Sequence, residues 1–204
     1  MAYRVAVAVS GRGSNLEALC NALGPDAPAE VVLVLSERDA PALVLASSRG
    51  IRTKVLADHR DANEWIAVLD ENRADLLVLA GYLKLLPADV VRAYEGRIMN
   101  IHPALLPRYG GSGMYGRRVH AAVLDAADVE SGATVHLVDE QYDRGDILGQ
   151  ARVSVEPGDT AESLAARVLE AEHRLLPAGV LAAAHAGRPV RFELSDGRRA
   201  VGEG

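Results

Sequence analysis

The chain lacks the features that mark secreted and membrane-bound proteins. It has a single cysteine, Cys20, so no internal disulfide can form, which is typical of a reducing compartment. No run reaches the roughly 18–20 apolar residues that a membrane-spanning helix needs. The N-terminal residues form a strand-like run with Arg4 inside it, which is not the layout of a signal peptide. We therefore expect a cytoplasmic protein that does not enter the membrane.

The sequence also lacks an excess of positive charge. Its 204 residues carry a formal net charge of −6, and the sequence pI is near 5.5. This balance disfavours general binding to nucleic acid, although a local basic pocket for a small anion remains compatible with it. Neither internal repeats nor a long linker divide the chain. With 49% hydrophobic residues, it predicts a single domain over residues 1–204.

Apolar runs alternate with helical patterns along the first half of the chain. Strand-like runs cover residues 4–9, 31–35, 53–56, 76–80 and 97–101. Such alternation predicts the α/β class, with a doubly wound and mostly parallel central sheet.

The second half predicts a different arrangement. Residues 131–138 and 147–155 are strand-like and are joined by a polar loop, which predicts an antiparallel edge on the sheet. Asp159 and Glu162 have the spacing of a capping box before a long helix, which Pro177 is expected to divide or kink. Residues 190–194 and 199–201 predict a terminal hairpin.

Two polar residues interrupt the buried strand that ends near residue 101. Asn100 and His102 are separated by one residue, so their side chains should point to the same face, and Pro103 ends the strand. Open α/β sheets bind ligands at the carboxyl ends of their strands. Taken alone, however, such a pair is more often a set of satisfied loop residues than a site.

A glycine-rich turn lies between the first strand and the first helix. Backbone donors in such a turn, together with the helix dipole, favour an anion. The dinucleotide fingerprint fails because its third glycine position is Leu16, so a single phosphate fits better than a pyrophosphate. The alternative is a tight turn with an ordinary helix cap. The residues of the turn are Gly11, Arg12, Gly13, Ser14 and Asn15.

An apolar loop follows the strand at 76–80. It contains Leu83, Lys84, Leu85 and Leu86, and it should face the same cleft as Asn100. Such a loop needs a cover, which is either another part of the protein or a flat hydrophobic ligand.

Four stretches, followed by an aspartate, carry a resemblance to a known family. They cover residues 10–16, 79–82, 100–107 and 135–138, and the aspartate is Asp143. On these motifs the chain resembles the folate-dependent formyltransferases, and within that family the members that formylate glycinamide ribonucleotide in purine synthesis. The resemblance extends over roughly residues 3 to 192.

The resemblance implies a Rossmann-like formyltransferase fold with two functional halves. Residues 1–101 would bind the nucleotide and its phosphate, and residues 102–204 would bind folate and carry catalysis. The implied reaction moves a formyl group from 10-formyltetrahydrofolate to the amine of glycinamide ribonucleotide. No metal and no nucleic acid are implied, and the resemblance leaves a monomer or a homodimer open.

The resemblance also implies residue roles. Asn100 and His102 would donate hydrogen bonds to the developing oxyanion, and Asp143 would stabilise the imidazolium, which should raise the pKa of His102. His136 would be a support, with plain packing as the alternative. Gly11, Arg12, Gly13, Ser14 and Asn15 match the phosphate site, and Glu172 and Pro103 match the substrate site. The folate site would comprise Leu83, Lys84, Leu85, Leu86, Asp139, Glu140, Gln141, Tyr142 and Asp143.

The chain departs from the family pattern at two places. Leu169 stands where members usually carry Lys or Gln, so a polar contact near the phosphate is lost; Arg12, Arg117 or Arg118 could replace it. The loop over residues 108–120 is also unusually rich in glycine.

Rival functions are expected to be weaker. Formyltetrahydrofolate hydrolases carry an extra N-terminal domain, whereas the first strand here begins at residue 4. Formyltransferases for tRNA or sugar nucleotides carry a C-terminal domain. A silent nucleotide-binding module would not need the Asn100, His102 and Asp143 set.

Overall fold

The computed structural model, described here for residues 1–194, is built on one seven-stranded sheet. The order is β3-β2-β1-β4-β5-β6-β7; the first five strands are parallel, and β6 and β7 each pair antiparallel with the strand before. This confirms the predicted α/β class with an antiparallel edge. The strands are β1 (Tyr3–Val9), β2 (Ala29–Ser36), β3 (Arg52–Val55), β4 (Leu76–Leu79), β5 (Ile98–His102), β6 (Glu130–Leu137) and β7 (Ile147–Ser154).

Helices cover both faces of the sheet. They are α1 (Ser14–Ala22), α2 (Pro41–Ser48), α3 (Ala62–Glu71), α4 (Ala88–Ala93), α5 (Arg117–Asp125) and α6 (Ala161–Ala186). The valines of β1 pack in one core cluster with α1, α2, α5 and α6, whereas Ala6 and Ala8 pack in the other with α3 and α4. Burial on both faces explains why this strand is apolar without alternation. Over residues 1–194, none of these helices has the length and apolar character needed to cross a bilayer.

The start of α6 differs from the predicted capping box. Thr160 is the cap: its hydroxyl accepts from the Ser163 amide at 3.2 Å, and Ser163 Oγ accepts from the Thr160 amide at 2.9 Å. The pair Asp159 and Glu162 was therefore wrong by one residue, because Ser163 fills the role expected of Glu162. Asp159 instead forms an ion pair with Arg167.

Two other expectations at the C-terminal end need correction. Pro177 does not divide α6, which runs unbroken to Ala186 with the proline ring buried in the core. Residues 190–194 form no strand, so that arm of the hairpin was wrong; the segment packs through Phe192, whose amide donates to Leu148 O at 2.9 Å. The second arm, residues 199–201, lies outside the described residues.

The strand order determines where a site can form. Chain direction through the sheet reverses at β1 and β4, and ligands bind at such a switch point, beyond the carboxyl ends of the strands. The loops after these two strands are tied together there. Ser10 N donates to Gly81 O at 3.2 Å, and the Leu83 amide donates to Ser10 Oγ at 3.0 Å.

Candidate active site

A cleft of about 730 Å³ opens at the carboxyl ends of β1, β4 and β5. The sequence-predicted site residues from five separate stretches meet in it. Those that line the cleft are Arg12, Ser14, Asn15, Leu83, Lys84, Leu85, Leu86, Asn100, His102, Pro103, His136, Gln141, Tyr142, Asp143 and Glu172.

Four predicted site residues lie beside the cleft and do not line it. Gly13 has a φ of 85° at the start of α1, and a Cβ there would lie 2.6 Å from Ala42 Cβ, so this turn requires glycine. Gly11 O accepts from the Ala42 amide at 3.2 Å. Asp139 Oδ1 accepts from the Gln141 amide, and the Glu140 carboxylate pairs with Arg92 at 2.8 Å. The two acidic side chains therefore hold the loop, and contact with a ligand falls to their backbone.

Asn100, His102 and Asp143 form one buried cluster. The two residues on β5 point to the same face of the sheet, as predicted, and Asp143 reaches them from the β6–β7 loop. Asp143 Oδ1 lies 3.4 Å from His102 Nδ1 and 3.4 Å from Asn100 Nδ2. The side chains of His102 and Asp143 are only 4% and 9% exposed. Their catalytic roles stay a prediction, but the geometry that those roles require is present.

His136 lies opposite Asn100 across the β5–β6 pair. Its Nδ1 is 2.7 Å from Leu137 O, and because a carbonyl only accepts, Nδ1 carries the proton. Its Nε2 is then free to accept from Asn100 Nδ2 at 3.0 Å. One amide hydrogen of Asn100 is thus held by His136, while the contact of the other with Asp143 is long. These contacts favour support over plain packing for His136.

The pKa of His102 moves in the direction opposite to the prediction. Burial lowers the pKa of this imidazole below its ordinary value, and the opposing effect of Asp143 is smaller. We expected the carboxylate to dominate, but a side chain this buried loses more hydration than one neighbour at 3.4 Å restores. Burial works to raise the pKa of Asp143, yet His136, His102 and the Gly111 amide together hold that pKa below its ordinary value. The resting pair is therefore a neutral imidazole and a carboxylate.

Glu172 and Asn15 form a second buried polar contact at the other end of the cleft. Asn15 Nδ2 donates to Glu172 Oε2 at 2.5 Å, which joins the first turn of α1 to the middle of α6. Burial raises the pKa of Glu172 to about 7. Asn15 Oδ1 is buried without a hydrogen-bond partner among residues 1–194. A ligand with hydroxyl or amide groups would satisfy these atoms.

The apolar loop is partly uncovered. Leu83 and Leu85 are 45% and 46% exposed, whereas Leu86 is buried beneath them. Large apolar side chains are seldom left exposed together inside a cleft without a ligand to cover them. Tyr142 extends the same wall and is 40% exposed.

Sequence reasoning missed part of the cleft wall. Met114 to Arg118 and His120 line it, although only the density of glycine in this loop indicated a functional segment. Arg117 pairs with Glu162 at 2.5 Å, which links the start of α5 to the start of α6. Tyr109 was also missed, because it acts through its carbonyl, which accepts from His102 Nε2 at 2.8 Å. No side-chain pattern reports a backbone acceptor.

Metal ligands were not expected at this site. In the described part of the chain, no group of three or more His, Cys, Asp or Glu side chains has the arrangement needed to hold a metal ion.

The sheet, the anion-binding turn and the buried amide–imidazole–carboxylate cluster define an α/β protein with its site at the switch point. Comparison with known proteins gives the family. The family model described as "Formyl transferase" matches residues 3–180, and the chain belongs to this family.

Relatives within the family carry a consistent name. The chain is 43% identical over 84% of its length to "Phosphoribosylglycinamide formyltransferase, chloroplastic" from Arabidopsis thaliana, of which it spans only 62%. Among solved structures, it resembles the phosphoribosylglycinamide formyltransferase from Brucella melitensis, with 45% identity, a TM-score of 0.80 and coverage of 92% of this chain and 96% of that one. The enzyme of the same name from Anaplasma phagocytophilum gives 39% identity, a TM-score of 0.84 and coverage of 90% and 87%.

Proposed function

We propose that the chain transfers the formyl group of 10-formyltetrahydrofolate to the amine of glycinamide ribonucleotide in purine biosynthesis. The observation that carries this proposal is the meeting of Asn100, His102 and Asp143 in one cleft between an anion-binding turn and an apolar wall. The printed names of the relatives support the same activity. Location in the cytoplasm and assembly as a monomer or homodimer remain predictions.

The nucleotide is assigned to the α1 side of the cleft. Its phosphate would receive backbone donors from the turn at Gly11–Asn15, where the start of α1 favours negative charge. Glu172 would accept from the hydroxyl groups of the ribose, and Pro103 would form the floor beside the amine. Since Leu169 lines this side, Arg12 is proposed to supply the missing polar contact.

The folate is assigned to the wall formed by Leu83, Leu85 and Tyr142. A flat ring would cover the apolar surface that these side chains expose, and its polar edge would meet backbone groups of residues 139–143. This arrangement divides the work as predicted, with residues 1–101 mainly on the nucleotide and residues 102–204 on folate and catalysis. The apolar loop at 83–86 is the exception, because it lies in the first half.

The proposed chemistry follows from the resting charges. The substrate amine attacks the formyl carbon, and negative charge develops on the formyl oxygen. The weakly held amide hydrogen of Asn100 is available to that oxygen, and such a donor contributes about 3 to 4 kcal/mol in comparable sites. His102 begins neutral, so it takes a proton released by the amine, and Asp143 stabilises the resulting imidazolium.

The alternative activity is hydrolysis of the same folate, with water in place of the amine. The test is the folate absorbance change with purified protein, measured with and without glycinamide ribonucleotide. The proposal predicts a change that requires the nucleotide. An equal change without the nucleotide would establish the hydrolase, and no change in either mixture would leave only a binding module.

A further inference from the structure

Residues Tyr109 to Gly111 hold two members of the catalytic cluster through backbone groups. Tyr109 O accepts from His102 Nε2 at 2.8 Å, and the Gly111 amide donates to Asp143 Oδ2 at 2.9 Å. Because a carbonyl only accepts, the first contact keeps a proton on Nε2. The position of the Tyr109 carbonyl therefore determines that Nδ1, which faces Asp143, is the nitrogen without a proton in the neutral imidazole.

The backbone at Tyr109 does not adopt this position by itself. Its φ is 58°, in the left-handed region that costs a residue with a Cβ roughly 1–2 kcal/mol. The next residue, Gly110, has no room for a side chain, since a Cβ there would lie 2.6 Å from Leu106 Cδ2 and 3.1 Å from Asp143 Cβ. A turn that is both strained and pressed against the site needs contacts elsewhere to keep it in place.

Asp128 supplies those contacts at the far end of the Tyr109 side chain. Asp128 Oδ2 accepts from Tyr109 Oη at 2.6 Å and from Arg108 Nη1 at 2.7 Å. Arg108 Nη2 also donates to Tyr109 Oη at 3.0 Å. The Asp128 side chain is 19% exposed, and its amide donates to Val123 O at 3.3 Å just beyond the end of α5. The phenol is thus fixed to a helix end on the side away from the cleft.

We infer that Asp128 is a positioning residue, which acts through Tyr109 to hold the carbonyl that sets the tautomer and orientation of His102. The consequence for catalysis rests on the proposed function, because it is Nδ1 of His102 that would take the proton beside Asp143. Asp128 lines a second, smaller cavity behind the 105–109 segment and does not line the main cleft, so it would not touch either substrate.

The first test reads the imidazole directly in the ligand-free protein. Nitrogen-15 NMR of His102 at a pH where the ring is neutral distinguishes the two tautomers, with assignment from the His102→Asn variant. The wild type and the control Asp125→Asn, an exposed carboxylate at the end of α5, should show a proton on Nε2. Tyr109→Phe and Asp128→Asn should show a mixture of tautomers. A wild-type ring state retained in both variants would overturn the inference.

The second test separates positioning from substrate binding and from general stability. Asp128→Asn and Tyr109→Phe should each lower kcat about tenfold, as expected when a reacting group is slightly misplaced, while KM for both substrates stays unchanged. The double variant should fall no further than the single ones, because both changes break the same contact. Losses that multiply, or a change confined to KM, would contradict the inference. If the wild type shows no formyl transfer, the proposed function fails, and the NMR result alone decides the inference.

Discussion

At His102, burial and a neighbouring carboxylate act on one imidazole in opposite directions. Burial has the larger effect, so the ring is neutral at rest, with its Nε2 proton held by Tyr109 O and its Nδ1 facing Asp143. A neutral ring cannot donate a second hydrogen bond to an oxyanion until it has gained a proton. Its first role is therefore that of proton acceptor, and Asn100 is the donor that is ready from the start.

Removal of either charge partner should abolish most of the turnover. We expect His102→Ala and Asp143→Asn each to lower kcat by at least about 100-fold, since both act on proton transfer and transition-state charge. Steady-state kinetics checks this, with Asp146→Asn as the control, because Asp146 is an exposed carboxylate of the same loop. Near-normal turnover in either site variant would remove that residue from the mechanism.

Arg12 should contribute to nucleotide affinity in place of the residue lost at Leu169. We expect Arg12→Met to weaken binding of the nucleotide about tenfold, or about 1.4 kcal/mol, with little change in kcat. Leu169→Lys in the same chain should recover part of the affinity, because both side chains line the phosphate side of the cleft. Calorimetry measures both effects, and Arg60→Met, an exposed arginine outside the cleft, is the control. An unchanged affinity in Arg12→Met would exclude the compensation.

At the scale of elements, the strands and helices were predictable because each has a strong periodic or apolar pattern. The order of polar residues at the ends of β1 and β5 also predicted where the cleft lies. Backbone contributions were not predictable. The carbonyl of Tyr109 and the amide of Gly111 hold His102 and Asp143, and neither group is encoded by a side-chain pattern. The cap of α6 was shifted because Thr160 and Ser163 satisfy the same donors as the expected pair.

The turn before α1 should tolerate no side chain at Gly13. We expect Gly13→Ala to lower the free energy of unfolding by about 1–3 kcal/mol, because the new Cβ meets Ala42 and the φ of 85° is strained. The displaced turn should also bind the nucleotide more weakly. Chemical denaturation and calorimetry measure the two effects, with Gly24→Ala as the control, since that position has open space and no positive φ. Equal stability of the two variants would show that the turn is not constrained.

At the scale of the whole molecule, the site joins distant parts of the chain. Asn15 and Glu172 are separated by 157 positions, yet they share one hydrogen bond between α1 and α6. Glu172 was matched to the substrate site only by the family resemblance. Its burial depends on the packing of α6 across the sheet, which a sequence pattern does not report. The raised pKa of this carboxyl could therefore not be foreseen.

Glu172 should make the stability of the protein depend on pH. Folding raises the pKa of its carboxyl from 4.5 to about 7, so the folded state binds this proton more tightly than the unfolded state. The resulting stabilisation is fully present below pH 4.5 and is lost as the pH rises through 7, a change of about 3 kcal/mol. In Glu172→Gln that part of the pH dependence should vanish, and the variant should be the more stable protein at pH 8. Denaturation series at several pH values measure this, and parallel curves for the two proteins would contradict it.

The destination of the formyl carbon tests the central claim most directly. A single turnover with 10-formyltetrahydrofolate labelled with carbon-13 in the formyl group, quenched and analysed by mass spectrometry, would follow that carbon. Formyl transfer predicts that the label appears on the amine of glycinamide ribonucleotide, in equal amount to the tetrahydrofolate formed, and that His102→Ala prevents it. Label recovered as formate, or labelled nucleotide formed at an undiminished rate by the variant, would contradict the claim.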